Sequence, residues 1–592
     1  MMTMPATTID GRCLVAGRGQ GPLLHATLGL SFWGGVDPSN GEVIDRHHPL
    51  SGQSLAGRVL AIPSGRGSCT GSSVLLELIL SGPAPAALVL AEPDEILSLG
   101  ALVAEHIFGI QLPVLCIGHA AFAQLSAHHG SFARVDGANL QLFAHAPDDG
   151  WHASPLEPVA PQASTLELDA GDRALLAGEQ GRAAQVAMQL LVRMAELQGA
   201  SALLDISQAH IDGCIYTGSA SLRFAQQLLD WGARVRVPTT LNAISVDQRQ
   251  WRALGVDPAF GEPASRLGDV YMAMGAQLSF TCAPYLLDSA PAFDEQIVWA
   301  ESNAVAYANS VIGARTLKYP DFLDICIALT GRAPCTGSHL DAGRQARLLL
   351  EVEAPAEADD SFWPLLGYHV GLLATVDIPV LAGLEHSQPS RDDLKAFSAA
   401  FATTSAAPMF HIAGITPEAQ DVTRALAGQA PRRTLQVTLA DLRSSWAELN
   451  SADSSEVNLV ALGNPHASAS ELARLAELCA GRTRHPHTAV VVTCGRAVHD
   501  QASASGHVAT LQAFGVRLLT DTCWCMLGEP VVPPDSRNLM TNSGKYAHYA
   551  PGLAGRQVHF GSLAACVDAA CSGQNQGQLP AWLGQPQPQG TH

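Results

Sequence analysis

Three of the 13 cysteines in this chain stand apart by their surroundings. Cys282 lies in Phe280-Thr281-Cys282-Ala283-Pro284-Tyr285, Cys494 in Thr493-Cys494-Gly495-Arg496, and Cys523 in Asp521-Thr522-Cys523-Trp524-Cys525, all polar and turn-prone. Cys116 and Cys326 sit instead inside apolar runs, as ordinary core thiols do. No pair of CxxC motifs occurs, which argues against a zinc ribbon. Thiolates distant in sequence can still gather on a soft metal or an iron–sulfur cluster; three unrelated thiols are the plainer alternative.

The segment Gly65-Arg-Gly-Ser-Cys-Thr-Gly-Ser-Ser73 opens a helix-like stretch, Ser72 to Leu80. Such a Gly-rich joint reads either as a capped structural turn or as a loop whose N–H groups cradle an anion. It lacks the lysine of a P-loop, and its serines act as bases only where the surroundings stabilise an alkoxide. His210, after the apolar run Ala202–Ile206, is a candidate acid, base or donor beside its structural reading. Glu301 and Asn303 fall on one polar face of a helical stretch from Trp299 to Ser310, which lines a site or faces solvent. Thr541-Asn542-Ser543-Gly544-Lys545 offers a cation with hydroxyl and amide donors suited to a carboxylate, or a surface loop.

The elements that must position these residues have an α/β rhythm. Apolar runs of strand length alternate with Ala/Leu-rich helical patterns, with strands expected at Val59–Ile62, Ala87–Leu90, Val114–Ile117, Val457–Leu462, Ala489–Val492 and Val516–Leu519. Several of these runs lead straight into the polar residues above, and open α/β sheets bind ligands beyond the carboxyl ends of their strands. The Pro/Ala/Asp/Ser-rich stretch 146–165 is expected to be a linker between a small domain, 1–145, and a large domain, 166–575. The Gln/Pro/Gly-rich tail, 576–592, is expected to be flexible.

Composition bounds the function. The 592 residues carry 54 acidic against 34 basic side chains, a net charge of −20 that repels nucleic acid and anionic membranes. Hydrophobic residues make up 47% and charged ones 15%, enough for a large core. The first residues lack the pattern of a signal peptide, no run is long and apolar enough to span a membrane, and sparse cysteines suit a reducing, cytoplasmic setting.

Taken together, these motifs resemble the aconitase X family, in particular its single-chain bacterial type, which dehydrates cis-3-hydroxy-L-proline. The first 145 residues resemble the family's small swivelling domain through Gly34-Gly35-Val36-Asp37-Pro38, Val43-Ile44-Asp45, His48-Pro49-Leu50 and the Gly65–Ser73 joint. The remainder resembles the large subunit through His210-Ile211-Asp212-Gly213, Val237-Pro238-Thr239-Thr240-Leu241-Asn242, Thr281-Cys282-Ala283-Pro284-Tyr285, the Asn309–Thr316 stretch and Thr541–Lys545. The implied fold is a large multi-layer α/β aconitase-like domain fused to a small swivelling β/α domain.

The resemblance implies an iron–sulfur cluster on three cysteines, with Cys282 and Cys523 mapping directly. Where archaeal phosphomevalonate dehydratases carry Gly-Cys-Pro-His, this chain has Gly463-Asn464-Pro465-His466, so Cys494 is taken as the third ligand and the cluster as 2Fe-2S. Ser68 is the implied base with Ser72 second, and His210, Asn242, Glu301, Asn303, Arg315 and Lys545 are candidate substrate-binding residues. The implied reaction converts cis-3-hydroxy-L-proline to Δ1-pyrroline-2-carboxylate in a cleft between the domains. The alternatives are another small hydroxy acid such as 5-phosphomevalonate, a non-catalytic iron–sulfur protein and, least of all, a zinc hydrolase. No oligomeric state is implied.

Overall fold

The computed structural model describes residues 7–46, 48–148, 151 and 165–584. The expected linker and the end of the tail fall largely outside them. The small domain is an eight-stranded mixed sheet. Its centre is four parallel strands, Arg18–His25, Val59–Ile62, Ala87–Leu90 and Val114–Cys116. Antiparallel partners close both flanks. Val59–Ile62 and Ala87–Leu90 are buried at every position, as strands covered on both faces must be. The joint after Val59–Ile62 feeds the helix Gly71–Ser81, which ends at Gly82 with φ 104°, a left-handed conformation that glycine adopts at least cost.

The large domain contains three parallel sheets. The first is three-stranded, with Ala209–Ile211 between Thr239–Leu241 and Val298–Trp299. The second is four-stranded, built on Leu348–Val352 and Pro379–Ala382, with the helix Phe362–Ala374 between them in sequence. The third, five-stranded, has the order Val516–Leu519, Ala489–Cys494, Leu459–Ala467, Asn538–Thr541, Gln557–Phe560. Among the described residues, no helix is long and apolar enough to cross a membrane.

The two domains share one apolar core. Leu75 and Leu102 of the small domain belong to the same buried cluster as Leu190 and Met194 of the helix Arg182–Leu197. Polar contacts tie the joint down: Ala220 N–H donates to Glu77 (2.6 Å) and Gln198 donates to Glu95 (2.6 Å). Part of the stretch expected to be a flexible tail is folded onto the large domain. Leu583 is fully buried, and Trp582 packs edge-on against Phe362. The apolar content of that short segment outweighs its Gln and Pro.

Two expected boundaries moved. His210 lies within the strand Ala209–Ile211 rather than after the run that precedes it. The strand expected at Val457–Leu462 runs as Leu459–Ala467, through Asn464 and His466, because Gly463 bends it at φ 88°. A Cβ at Gly463 would overlap the carbonyl oxygen of Thr493. Gly463→Ala is therefore expected to destabilise the protein by about 3 kcal/mol, read as a lowered denaturation midpoint, and an unchanged midpoint would contradict this.

Candidate active site

Carboxyl ends of parallel strands from two sheets bring the polar residues together. Ala209–Ile211 ends at Asp212, Thr239–Leu241 at Asn242, and Val298–Trp299 at Glu301. From the five-stranded sheet come Asn464 and His466, the Asp521–Cys525 turn after Val516–Leu519, and Lys545 after Asn538–Thr541. Asp521 has φ 69°, a left-handed conformation that an Asp tolerates, and two bonds from Arg496 (2.5 and 2.7 Å) clamp its carboxylate. That clamp sets the direction in which the chain presents Cys523 and Cys525.

Cys282, Cys523 and Cys525 form one buried cluster with Ala243. His466 N–H donates to Cys282 Sγ (3.3 Å), and Asn464 Nδ2 donates to Cys525 Sγ (3.2 Å). His466 is itself fixed, its Nε2 to Thr522 O (2.7 Å) and its Nδ1 to Thr281 Oγ1 (3.0 Å). Burial pushes its pKa down to about 4, so the ring is neutral at pH 7.

Cys494 is not in this cluster. It belongs to a separate apolar layer with Val490 and Val492, while Val491 between them joins the layer on the other side. Successive strand side chains alternate faces, so the period of two that buries Val490 and Val492 also turns Cys494 away from Cys282 and Cys523. The third thiol beside them is Cys525, whose signal was the Cys-x-Cys spacing around Trp524.

Lys545 stands over the thiols. Ser543 caps its helix, Gly544–Leu553, by accepting from Tyr546 N–H (3.0 Å), so the lysine occupies the first turn, where the helix dipole opposes a cation. An ion pair of 2.7 Å with Glu301 offsets this. Burial works against its charge, but Glu301, Cys525, Cys523 and Cys282 together raise its pKa well above the ordinary value. Burial alone would raise the Glu301 pKa; Lys545 and bonds from Asn303 outweigh it, and the carboxylate stays ionised. Asn303 Nδ2 also reaches Cys282 O (3.0 Å), and Asn242 Nδ2 reaches Glu301 Oε2 (3.3 Å). The polar helical face is thus buried and lines the site; it is not solvated.

Across a cleft from Lys545 lies the small-domain joint. Ser68 and Thr70 line one wall, and Glu301, Cys523, Cys525 and Lys545 the other. Ser68 is half-buried, its Oγ donating to Thr70 Oγ1 (3.0 Å). Ser72 is wholly buried, its hydroxyl donating to Cys69 O (3.1 Å) and Asp321 O (3.2 Å). Tyr549 and Ser302, which the sequence had not singled out as site residues, also line the cleft, as do Trp33 and Thr403. His210 lies behind it, with Nδ1 at 2.8 Å from Thr240 Oγ1, and burial lowers its pKa to about 3. Arg315 is elsewhere, its guanidinium bonded to Asp294, Asp341 and His339 O.

Four aconitase X models match the chain: the swivel domain over residues 8–142, the first domain over 165–342, the second over 346–447 and the third over 457–572. The chain belongs to the aconitase X family. Among curated relatives of this aconitase X are a cis-3-hydroxy-L-proline dehydratase of Pseudomonas aeruginosa, 62% identical over 98% of this chain and 99% of that one, and another of Hypocrea jecorina, 53% identical over 98% of each. Its fold is similar to the crystal structure of Thermococcus kodakaraensis aconitase X (holo-form), with TM-score 0.62 and 30% identity over 68% of this chain and all of that one.

Among the described residues of this aconitase X, no three His, Cys, Asp or Glu side chains converge closely enough to hold a single metal ion. The donor chemistry nevertheless fits a cluster with more than one iron, in which the thiolates are divided among the irons and need not share a point. Contact with Cys282 raises the Cys523 pKa, and contact with Cys523 raises that of Cys525. In this buried place Cys523 and Cys525 ionise only beside strong positive charge, of which Lys545 supplies one unit.

Proposed function

We propose that this protein is a hydro-lyase that removes water from cis-3-hydroxy-L-proline to give Δ1-pyrroline-2-carboxylate, with an iron–sulfur cluster of the 2Fe-2S type held by Cys282, Cys523 and Cys525. One observation carries the reading: the cleft sets a hydroxyl of the small domain opposite Cys523, Cys525 and a lysine of the large domain, with Cys282 in the same buried cluster as the two thiols.

That opposition suits the substrate's stereochemistry. With the C3 hydroxyl cis to the carboxylate, the Cα proton points to the other face of the ring, so the base and the groups receiving the hydroxyl must stand on opposite walls. Ser68, as the alkoxide, takes the Cα proton from the small-domain side. Lys545, fixed by Glu301, binds the carboxylate from the large-domain side. A bound cluster with an open iron supplies a Lewis acid for the carboxylate and the leaving hydroxyl. Proton and hydroxide depart on opposite faces and together make the one water lost. The enamine left behind takes a proton at C3 and loses one from nitrogen, giving the cyclic imine. Closure of the two walls excludes bulk water, which strengthens each charge interaction.

A phosphorylated substrate fits less well, because Lys545, the only Lys or Arg lining the cleft among the described residues, is already paired with Glu301. Turnover assays on anaerobically purified protein, with no added redox partner, are expected to form pyrroline carboxylate from cis-3-hydroxy-L-proline and leave 5-phosphomevalonate unchanged. The reverse pattern, or zinc as the sole metal, would overturn the proposal.

A further inference from the structure

Behind the cleft, three carboxylates are packed together: Asp212, Asp321 and Asp324, none more than 1% exposed. Asp324 is satisfied as an anion by the N–H groups of Asp212 (2.7 Å), Gly213 (3.1 Å) and Ile325 (2.6 Å). Asp321 is the residue of the large domain on which the small-domain joint rests. Its Oδ2 accepts from Ser73 Oγ (2.9 Å), its carbonyl accepts from Ser72 Oγ (3.2 Å), and its N–H donates to Cys69 O (3.3 Å). Three residues of the joint that carries Ser68, namely Cys69, Ser72 and Ser73, are therefore held by one aspartate. The next residue, Phe322, has φ 79°, costly for a bulky side chain, and its ring packs 4.4 Å from Phe224.

The other oxygen of Asp321, Oδ1, has no N–H or O–H donor among the described residues, and the carboxyl of Asp212 is in hydrogen-bonding contact with Asp321. Two carboxyl groups bond to each other only when a proton lies between them. Asp212 in turn accepts from Asn242, which also bonds Glu301, the partner of Lys545. A continuous buried chain thus runs from Ser73 in the small domain to the lysine over the thiols.

We propose that Asp321 is a positioning residue and that one proton shared between Asp212 and Asp321 is the latch that seats the Ser68 loop against the large domain. The groups facing the pair are Asp324, Glu301, Cys69, Cys214 and Tyr271, none of them a cation, with Lys318 acting on Cys69 beyond them. Burial, then Asp324 and Glu301, push Asp321 up to about 8, and burial followed by the neighbouring carboxylates raises Asp212 as well. A proton kept on folding but released by the unfolded chain makes stability fall as pH rises from about 4 to about 8, and not further above.

Asp321→Asn keeps an acceptor for Ser73 and donates to Asp212 without a proton to lose. Melting curves of the holoprotein from about pH 5 to about pH 9 are expected to show wild type losing several degrees of Tm over the lower part of that range and Asp321→Asn losing less than half as much. Asp321→Ala, which frees the loop, is expected to lower kcat about 10²-fold with KM nearly unchanged, and Asp321→Asn to restore most of it. Asp321→Asn following the wild-type Tm at every pH, or Asp321→Ala retaining full kcat, would overturn the latch. Only the kcat arm rests on the function proposed above; the melting curves need no substrate, so the two can fail separately.

Discussion

Cys525→Ala is expected to abolish turnover, by at least about 10³-fold, together with the iron, sulfide and visible colour of the anaerobically purified protein, because it removes one of the three thiols proposed to hold the cluster in a buried site. Cys494→Ala is expected to keep metal, colour and kcat and to lose only about 1 kcal/mol of stability, the ordinary cost of trimming a core side chain. The contrast follows from strand geometry: Cys494 shares its face with Val490 and Val492, whereas Cys525 is in the cluster with Cys282 and Cys523. Asn464→Ala falls between them, about 10- to 100-fold down in activity or metal retention, since Asn464 donates to Cys525 Sγ without being a sulfur ligand itself. Iron and sulfide analysis of the three variants checks all of this. Colour lost in Cys494→Ala and kept in Cys525→Ala would reverse the ligand assignment.

That assignment marks where the sequence stopped being informative. Some residues that end strands were readable in advance, because an apolar run followed by Asp-Thr-Cys or Thr-Cys-Gly announces a carboxyl edge, and ligand sites of α/β sheets gather there; Thr541–Lys545 instead read equally as a surface loop. The face on which a residue falls was not readable for Cys494, since the run Ala489–Val492 is apolar on both faces and gives no alternation to count from. His210 posed the opposite problem. Its strand is only three residues long, and its neutral, buried ring packs 6.0 Å from Trp299 in the layer behind the cleft. Arg315 looked available as a free cation because its partners, Asp294 and Asp341, lie on separate loops whose approach no local pattern encodes. The carboxylates beneath the joint were invisible for the same reason: Asp321 and Asp212 are more than a hundred residues apart, and only the tertiary fold of the large domain makes them neighbours. Core elements, by contrast, follow from local pattern, which is why the helix expected at Ser72–Leu80 appears as Gly71–Ser81.

Ser68→Ala is expected to lower kcat about 10³-fold while KM for cis-3-hydroxy-L-proline moves less than about threefold and the cluster colour is retained. Its surroundings separate it from Ser72, four residues on. A serine can act as a base only where its oxygen faces substrate and donors hold the negative charge. Ser68 faces the cleft, with Thr70 N–H directed at its Oγ (3.3 Å) and Lys545 on the opposite wall. Ser72 has its hydroxyl committed to two carbonyls and no exposed surface, so Ser72→Ala is expected to cost about 1 to 2 kcal/mol of stability and little of the chemical step. Gly67→Ala supplies an independent check on position: at φ 82° a side chain is strained, and its Cβ would crowd Ser31 Oγ at 2.8 Å with Tyr549 Oη beyond at 3.9 Å. It should therefore reproduce most of the kcat loss by displacing Ser68, without removing any hydroxyl. Full activity in Ser68→Ala, with the loss found in Ser72→Ala instead, would move the base to the buried serine, and the cleft would then have to open around Asp321 before substrate could reach it.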